Sequence, residues 1–392
     1  MTELCEGLVR DHGWRVSVIA GVSLIPASGS GNGKAAGWII SRERHAGVDV
    51  FRASGTRLSK RRFIGRFTNY MTYFASACLA GLRLDRPDVI VALTDPPIIG
   101  LAACLASRRY GVPFVMSYRD VFPEVARLLE DFHVESVNAI LQRVNRFLVA
   151  HADRVIALGE SMQRRLIDGK GAEPRKTVII PDWADCEAIV PSPKRNAFSE
   201  AHGLADRFVV MHAGNLGLSQ NLESVVGAAE YLLDLPDLVL LFVGEGVKKP
   251  ALQAIARERG LTNVQFLTYQ PKANLSNTFA SADCFVVSLA VGLSGFIVPS
   301  KLYAILAAGR PYVAAMERES EAARIAEQEA CGLVAEPGNP GSLAAQIRSL
   351  YLNRELTGQM GERAREVGLR FDRRAGVAAY DALARGLVNR SS

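Results

Sequence analysis

The sequence lacks any large excess of charge of one sign. Among its 392 residues, Lys and Arg number 46 and Asp and Glu number 40, which gives a formal net charge of +6. This small basic excess indicates one anionic partner or surface and argues against a protein that coats nucleic acid through charge alone. Hydrophobic residues make up 49% of the chain, which excludes a disordered protein.

The cysteines also follow no pattern. None of the six lies in a C-x-x-C pair, so their spacing indicates neither a zinc site nor a disulfide framework. Most lie in apolar runs, where a free thiol packs as a small hydrophobic side chain, and this usage favours a reducing compartment. An Asp-x-Asp motif and a histidine cluster are absent as well, so we expect no divalent metal and no cofactor.

Long hydrophobic runs are missing. The uncharged apolar run from Phe67 to Leu82 is shorter than the roughly 20 residues that cross a bilayer. The first residues include Glu3 and Glu6, where a secretory signal peptide carries basic residues. We therefore expect a protein that is soluble or peripheral on a membrane.

Short runs rich in Val, Ile, Leu and Phe alternate with helical patterns along both halves of the chain. Near-continuous apolar strands of this kind are typical of parallel sheets that are buried on both faces, and the alternation indicates right-handed βαβ units. The predicted strands are Arg15–Ala20, Val48–Ala53, Asp88–Leu93, Pro113–Tyr118, Arg154–Leu158, Thr177–Pro181, Arg207–Ala213, Asp237–Gly244, Asn263–Leu267, Asp283–Leu289, Pro311–Ala315 and Gly332–Ala335.

A polar, proline-rich break at Pro191–Asn196 separates two series of these units. We predict an α/β protein with two Rossmann-like, doubly wound parallel-sheet domains, residues 1–190 and 196–369, that face each other across a cleft. The chain begins in a helical pattern, and its first predicted strand comes only at Arg15. The first strand and Gly-rich turn of the N-terminal domain are therefore expected to be missing, either genuinely or because the start codon was placed too far downstream. We favour the second explanation.

Two loops of the second domain contain glycines between a strand and a helix. The first comprises Gly214, Asn215, Leu216 and Gly217 with Gln220. Its glycines allow the backbone to approach a phosphate closely, although a purely structural turn would have the same composition. The second comprises Gly244, Glu245 and Gly246 with Lys249, and its lysines either contact a phosphate or are solvated.

The segment Pro299-Ser300-Lys301 carries the sharpest signal. Pro299 and Ser300 are suited to the start of a helix, which would place Lys301 in the first turn. A lysine there is unfavourable to the helix dipole. We therefore expect a bound anion, a pyrophosphate, at this position.

The first domain offers polar residues at the ends of two predicted strands. Arg119, Asp120 and Glu124 follow one of them and Asp95 follows another. Arg119 suits a phosphate, whereas Asp120 or Glu124 suits a hydroxyl group. The alternative is an internal arginine–carboxylate pair that merely closes the loop.

A basic and aromatic cluster precedes the apolar run near Phe67. It comprises Lys60, Arg61, Arg62, Phe63 and Arg66. Such a cluster suits an anionic membrane surface, where each basic residue contributes about 1 kcal/mol. The alternative is an ordinary solvated helix start. No recognition module accompanies the cluster, so we expect no nucleic-acid partner.

The ordered set of loops resembles a known family. The sequence is similar to GT-B-fold glycosyltransferases of the family 4 type, and most similar to bacterial enzymes that build capsule, O-antigen or colanic acid, including N-acetyl-L-fucosamine transferases. The segments that carry the resemblance run in family order across nearly the whole chain. They are 214–217 with Gln220, 244–246, 299–301, Ala307-Ala308-Gly309-Arg310-Pro311, Arg119-Asp120-Val121-Phe122-Pro123-Glu124, and Ile180-Pro181-Asp182-Trp183-Ala184-Asp185.

The resemblance implies a retaining, metal-independent transferase that uses a UDP-sugar donor, an N-acetylated deoxyhexosamine being one candidate sugar. The acceptor would be a polyprenyl-diphosphate-linked saccharide, and the enzyme would be cytoplasmic and peripheral on the inner face of the bacterial inner membrane. Asp120 would orient the acceptor or act as an auxiliary base, and Lys301 would stabilise the leaving diphosphate. The C-terminal residues 370–392 would form a helix that crosses back to the first domain. The oligomeric state is not predicted.

The sequence departs from the family at two further places. Many relatives carry two glutamates eight positions apart before the Ala-Ala-Gly turn, and these positions are Phe296 and Ala304 here. Basic residues that follow the glycine loop in many relatives are replaced by Asn215 and Gln220 or Asn221. The missing first strand together with Ala304 leaves open a catalytically inactive, nucleotide-binding assembly partner. A UDP-sugar epimerase is a further alternative.

Overall fold

The structure, a computed structural model, describes residues 1–21, 40–56, 58, 63–129 and 135–391. Every predicted strand is present, with ends within two residues of the prediction. The strands of the first half are β1 Ser17–Gly21, β2 Ile40–His45, β3 Val48–Ala53, β4 Ile90–Ala92, β5 Phe114–Ser117, β6 Arg154–Ala157 and β7 Thr177–Ile179. Those of the second half are β8 Phe208–Ala213, β9 Leu238–Val243, β10 Val264–Leu267, β11 Cys284–Ser288, β12 Tyr312–Ala315 and β13 Gly332–Ala335.

Helices alternate with these strands, as the pattern predicts. Those of the first half are α1 Thr2–His12, α2 Phe63–Gly81, α3 Ile99–Tyr110, α4 Glu124–Leu128, α5 Glu135–His151 and α6 Glu160–Lys170. Those that follow are α7 Ala197–Ala201, α8 Leu222–Ala228, α9 Lys249–Glu258, α10 Leu275–Ala280, α11 Lys301–Ala307, α12 Glu321–Gln328, α13 Pro340–Leu352, α14 Arg354–Arg370 and α15 Arg373–Ser391.

The second half forms one parallel sheet of six strands in the order β10-β9-β8-β11-β12-β13. Strands β8, β9, β11 and β12 are buried along their whole length. Their side chains alternate between two hydrophobic clusters, one on each face of the sheet. This arrangement is the doubly wound sheet that the apolar runs predict.

The first half differs from the single sheet that the sequence predicts. Strands β4, β5, β6 and β7 form a parallel sheet, whereas β1, β3 and β2 form a separate sheet of three strands. The strand β2 was not predicted, and it runs antiparallel to β3. Its sequence Ile-Ser-Arg-Glu-Arg-His is polar and five of its six residues are exposed, so an edge strand of this kind gives no apolar signal.

The last helix, α15, packs on the first half of the chain. Its Val377, Tyr380 and Leu387 lie in one cluster with Leu4 of α1 and with residues of β5 and β6. The hydroxyl of Tyr380 lies 2.9 Å from that of Ser117. The helix therefore joins the two halves, while the exact domain boundaries at residues 190, 196 and 370 stay a prediction.

The two halves also meet at the carboxyl ends of their strands. The backbone N–H of Val121 donates to the carbonyl of Phe296 over 2.9 Å, and Asp120 forms an isolated antiparallel bridge with Ile297. Nearby, the N–H of Ser161 donates to the carboxylate of Glu321 over 2.7 Å. The loops that follow β5 and β11 are therefore in direct contact.

Candidate functional site

The two glycine loops of the second half pack backbone against backbone. The N–H of Gly214 donates to the carbonyl of Val243 over 2.9 Å, and that of Leu216 donates to the carbonyl of Glu245 over 2.8 Å. A Cβ at position 244 would lie 1.9 Å from the carbonyl oxygen of Gly214, and one at position 246 would lie 2.2 Å from that of Leu216. Only glycine fits at these two positions, because backbone atoms cannot move aside as a flexible side chain can.

Lys301 points at the first of these loops. A Cβ at position 214 would lie 3.6 Å from both Cε and Nζ of Lys301. The Nζ atom lies 3.0 Å from Nε2 of His212, at the end of β8. The structure therefore brings together the glycine loop and the lysine that the sequence singles out.

Burial controls the charge of this pair. It lowers the pKa of Lys301 to about 7. Burial first, and the neighbouring Lys301 second, hold the pKa of His212 well below its usual value. An anion that enters the site would stabilise the charged form of the lysine.

The start of α11 differs in one respect from the prediction. Lys301 lies in the first turn, but Ser300 has helical dihedral angles and its side chain makes no capping hydrogen bond. The helix has only seven residues, so its macrodipole is short. The positive charge available here therefore comes chiefly from the lysine side chain.

The other predicted donor-site side chains stabilise their own loops. Lys249 Nζ donates to the carbonyl of Gly244 over 3.1 Å and to the carboxylate of Glu245 over 2.7 Å. The side chain of Gln220 accepts a hydrogen bond from the N–H of Gly217 over 3.3 Å. The side chain of Lys249 is thus held against its own loop and is largely shielded from solvent.

Charged residues gather at the carboxyl ends of strands in the first half. Arg119 forms an ion pair with Asp182, and the backbone N–H groups of Arg119 and Asp120 approach Thr94 Oγ1 to 3.1 and 3.4 Å. Burial raises the pKa of Asp120, Asp95 and Asp182 raise it further, and Arg119 opposes them. The sequence alternative of an internal arginine–carboxylate pair therefore holds for Arg119, with Asp182 as the partner, while Asp120 lies at the contact between the halves.

Glu124 has a different setting from that expected of a catalytic group. Its carboxylate lies 2.7 and 2.9 Å from the Nζ atom of Lys170, which is 3% exposed. Lys170 also donates to the carbonyl of Phe122 over 2.8 Å and to the side chain of Gln142. This pair favours a structural role for Glu124. The sequence does not predict the contact with Lys170, because that residue lies on a helix remote in sequence.

Glu317 is a second residue that the sequence analysis missed. Its two carboxylate oxygens accept hydrogen bonds from the N–H groups of Gly292, over 2.8 Å, and Ser294, over 3.3 Å. It therefore fixes the loop that leads to Lys301. No motif marks it, because the contact joins residues that follow different strands.

The two positions that carry glutamate in many relatives are apolar and packed. Phe296 packs against the core of the first half, and its ring lies 4.8 Å from the guanidinium of Arg165. Ala304 packs against the core of the second half. Neither position offers a carboxylate to a bound ligand.

Two sets of expected features are only partly described. Lys60, Arg61 and Arg62 lie outside the described residues, while Phe63 and Arg66 lie within α2 but their side chains are not described. Within the described part of the chain, no three His, Cys, Asp or Glu residues are grouped so that they could hold a metal ion. Over that same part, no helix is both long and apolar enough to cross a membrane.

Comparison with known proteins identifies the family. The family described as "Glycosyl transferase 4-like domain" matches residues 1–183, and the family "Glycosyl transferases group 1" matches residues 194–367. The chain belongs to the GT-B-fold glycosyltransferases. These two matches cover the two halves of the chain described above.

Individual relatives agree with this assignment. The glycosyltransferase WbjE of Pseudomonas aeruginosa is 28% identical over 294 residues, which cover 74% of this chain and 73% of that protein. The colanic acid biosynthesis glycosyl transferase WcaI of Escherichia coli strain K12 is 31% identical over 206 residues, or 52% of this chain and 50% of that protein. Among solved structures, HepE of Anabaena in complex with UDP-glucose superimposes with a TM-score of 0.69 at 19% identity, over 87% of each chain, which supports the fold.

Proposed function

We propose that this glycosyltransferase moves a sugar from a UDP-sugar, with retention, to a lipid-linked saccharide during the synthesis of a cell-surface polysaccharide. The observation that carries the proposal is the position of Lys301, whose Nζ atom lies beside Gly214 in the glycine loop. The names of WbjE and WcaI support the class of reaction. The complex of HepE with UDP-glucose supports a UDP-sugar as the donor.

In the proposed reaction the donor diphosphate lies against Gly214–Gly217 and Lys301. Cleavage of the bond between sugar and phosphate builds negative charge on the leaving diphosphate. Backbone N–H groups and a lysine that are already in place stabilise this charge more in the transition state than in the ground state, and this difference accelerates the reaction. The positive charge of the protein then serves in place of a divalent metal.

Asp120 is proposed to contact the acceptor. It lies at the contact between the two halves, and burial raises its pKa, so its carboxylate is suited to accept a hydrogen bond from a hydroxyl group. The leaving phosphate takes the proton of the acceptor on the same face of the sugar. Asp120 therefore orients the acceptor or assists as a base, and Asp95 and Arg119 shape its surroundings.

A transfer assay tests the proposal. Purified protein is incubated with a panel of UDP-sugars and a membrane extract as acceptor, and labelled lipid-linked product is measured. Removing one group that stabilises developing charge lowers turnover by about 10²- to 10³-fold, and we expect that loss for Lys301→Ala. The matched control is Lys248→Ala, since Lys248 pairs with Glu223. A loss below about fivefold for Lys301→Ala would contradict the proposal.

Membrane docking belongs to the same proposal. The basic cluster at residues 60–66 extends into the first turn of α2, and further along this helix Tyr70 and Met71 are 46% and 40% exposed. In a flotation assay, we expect the protein to float together with vesicles that contain anionic lipid. With neutral vesicles, we expect the protein not to float. Replacing Lys60, Arg61 and Arg62 by glutamate should abolish flotation while leaving UDP binding intact.

A second candidate function rests on Phe296 and Ala304. Because both are apolar and packed, neither position supplies the carboxylate that many relatives carry there. An inactive relative that binds nucleotide and acts as an assembly partner would have this property. Thermal stabilisation by UDP without turnover on any donor would favour this function over the enzyme.

A further inference from the structure

A histidine lies directly behind the lysine of the proposed donor site. His212 occupies the fifth position of the six-residue strand β8, whose other residues are apolar, and it is 1% exposed. Its Nε2 atom lies 3.0 Å from Lys301 Nζ, and its ring lies 5.9 Å from that of Phe242. A polar side chain on a buried inner strand requires a hydrogen-bond partner, and Lys301 supplies one for Nε2.

The chemistry of this pair determines how the hydrogen bond runs. Both groups are cations when protonated, so the two charged forms repel each other. An ammonium group has no lone pair, so the charged form of Lys301 donates and Nε2 of a neutral imidazole accepts. Among the ion pairs of the described residues, none joins Lys301 to a carboxylate, and His212 is the titratable group in contact with it.

We propose that His212 is a positioning residue: it accepts the hydrogen bond of Lys301 and directs Nζ towards Gly214, where the lysine takes up a proton as the donor diphosphate binds. This inference rests on the proposed function, since it assumes that the diphosphate lies beside Lys301. Without an anion, burial leaves the lysine partly neutral near neutral pH, because its pKa lies at about 7. A bound diphosphate favours the ammonium form, so a proton enters with the ligand.

The affinity for UDP should depend on pH in a defined way. If the ammonium form alone binds strongly, the affinity for UDP falls by up to about tenfold per pH unit above the pKa of the lysine. His212 stabilises the ammonium as an acceptor. Its loss should therefore weaken binding by about tenfold and move the pH of half-maximal affinity downward.

Calorimetric titration with UDP tests this from pH 6 to pH 9, in two buffers of different ionisation enthalpy. The variants are His212→Phe, which removes the acceptor, His212→Gln, which retains one, and Lys301→Met. The Lys301→Met variant reports the titration of UDP itself, which is subtracted. We expect net proton uptake by the wild type near pH 7, a downward shift of the inflection in His212→Phe, and its return towards the wild-type value in His212→Gln.

Three outcomes separate the possibilities. If the wild type binds UDP with the same proton uptake as Lys301→Met, the inference is overturned even when His212→Phe does not fold. If His212→Phe folds, as its circular dichroism reports, and keeps the wild-type inflection and affinity, the inference is overturned as well. If the wild type does not bind UDP at any pH, the proposed function itself fails.

Discussion

Replacing Lys301 by methionine should make the protein more stable while it removes its activity. Methionine has a similar length and carries no charge, so it fills the same space without the cost of placing an ammonium in a buried site. That cost appears as the lowering of the pKa of Lys301 from its ordinary value of 10.5 to about 7. The wild-type protein therefore carries a local instability at the proposed donor site.

The size of the effect depends on pH in a defined direction. The pKa of Lys301 is lower in the folded state than in the unfolded state, so the penalty is complete below pH 7 and disappears as the pH rises towards 10.5. A shift of this size corresponds to at most about 5 kcal/mol at pH 6, which falls to about 2 kcal/mol at pH 9. Local relaxation and the loss of the hydrogen bond to His212 reduce both figures, so we expect a stabilisation of about 2 kcal/mol at pH 6 that shrinks at pH 9.

Urea unfolding at pH 6 and pH 9 measures this difference for the wild type and Lys301→Met. Lys248→Met is the matched control, because it removes a lysine from a partly exposed ion pair with Glu223 that contributes about 0–1 kcal/mol. The control should give the same small change at both pH values. A Lys301→Met variant that is less stable than the wild type at pH 6, or equally stabilised at both pH values, would refute the reasoning.

Three further predictions concern the loops and carboxylates. Gly246→Ala should weaken UDP binding, measured by calorimetry, at least about tenfold, because its Cβ would lie 2.2 Å from a backbone oxygen. The control is Gly358→Ala, where the Cβ would meet open space. This variant should keep the affinity for UDP and gain about 0.5–1 kcal/mol of stability. Glu124→Gln should lower the free energy of unfolding by about 3 kcal/mol and leave the turnover of the folded enzyme nearly unchanged. A large loss of turnover at unchanged stability would instead indicate a catalytic role for Glu124. Asp120→Asn should lower turnover about 10²-fold. It should also remove an acid inflection from the pH–rate profile, which in the wild type lies above the ordinary aspartate pKa because burial raises the pKa of Asp120. An unchanged pH–rate profile would contradict the proposed role.

The strands illustrate how much of the fold follows from local pattern. Val48–Ala53 is a strand with the predicted ends. In the six-stranded sheet of the second half, the ends of every strand lie within two residues of the predicted ends. Apolar runs report burial on both faces of a sheet, and that information is local in the sequence. The polar edge strand Ile40–His45 has no such signal, and the separation of the first half into two sheets depends on which edges pair.

The candidate site divides in the same way. Gly214, Gly244 and Lys301 are predicted from the sequence because each lies next to a strand or helix end, where the local pattern predicts a loop. His212 is not among the predicted site residues, because within its strand it is an isolated polar residue and only the packing of α11 against β8 places a lysine 3.0 Å from it. Lys170 was missed for the same reason, since its partner Glu124 lies on another helix.

The local pattern of the sequence predicts the alternation of strands and helices and the loops in which charged residues lie, because these features depend on neighbours along the chain. Which of the charged residues acquire a partner of opposite charge depends instead on how distant segments pack. Glu124 and Arg119 each have a partner from a distant segment, whereas Lys301 contacts an imidazole and is partly buried. Desolvation and ion pairing depend on distances between segments remote in sequence, and those distances are set by the packing of the sheets.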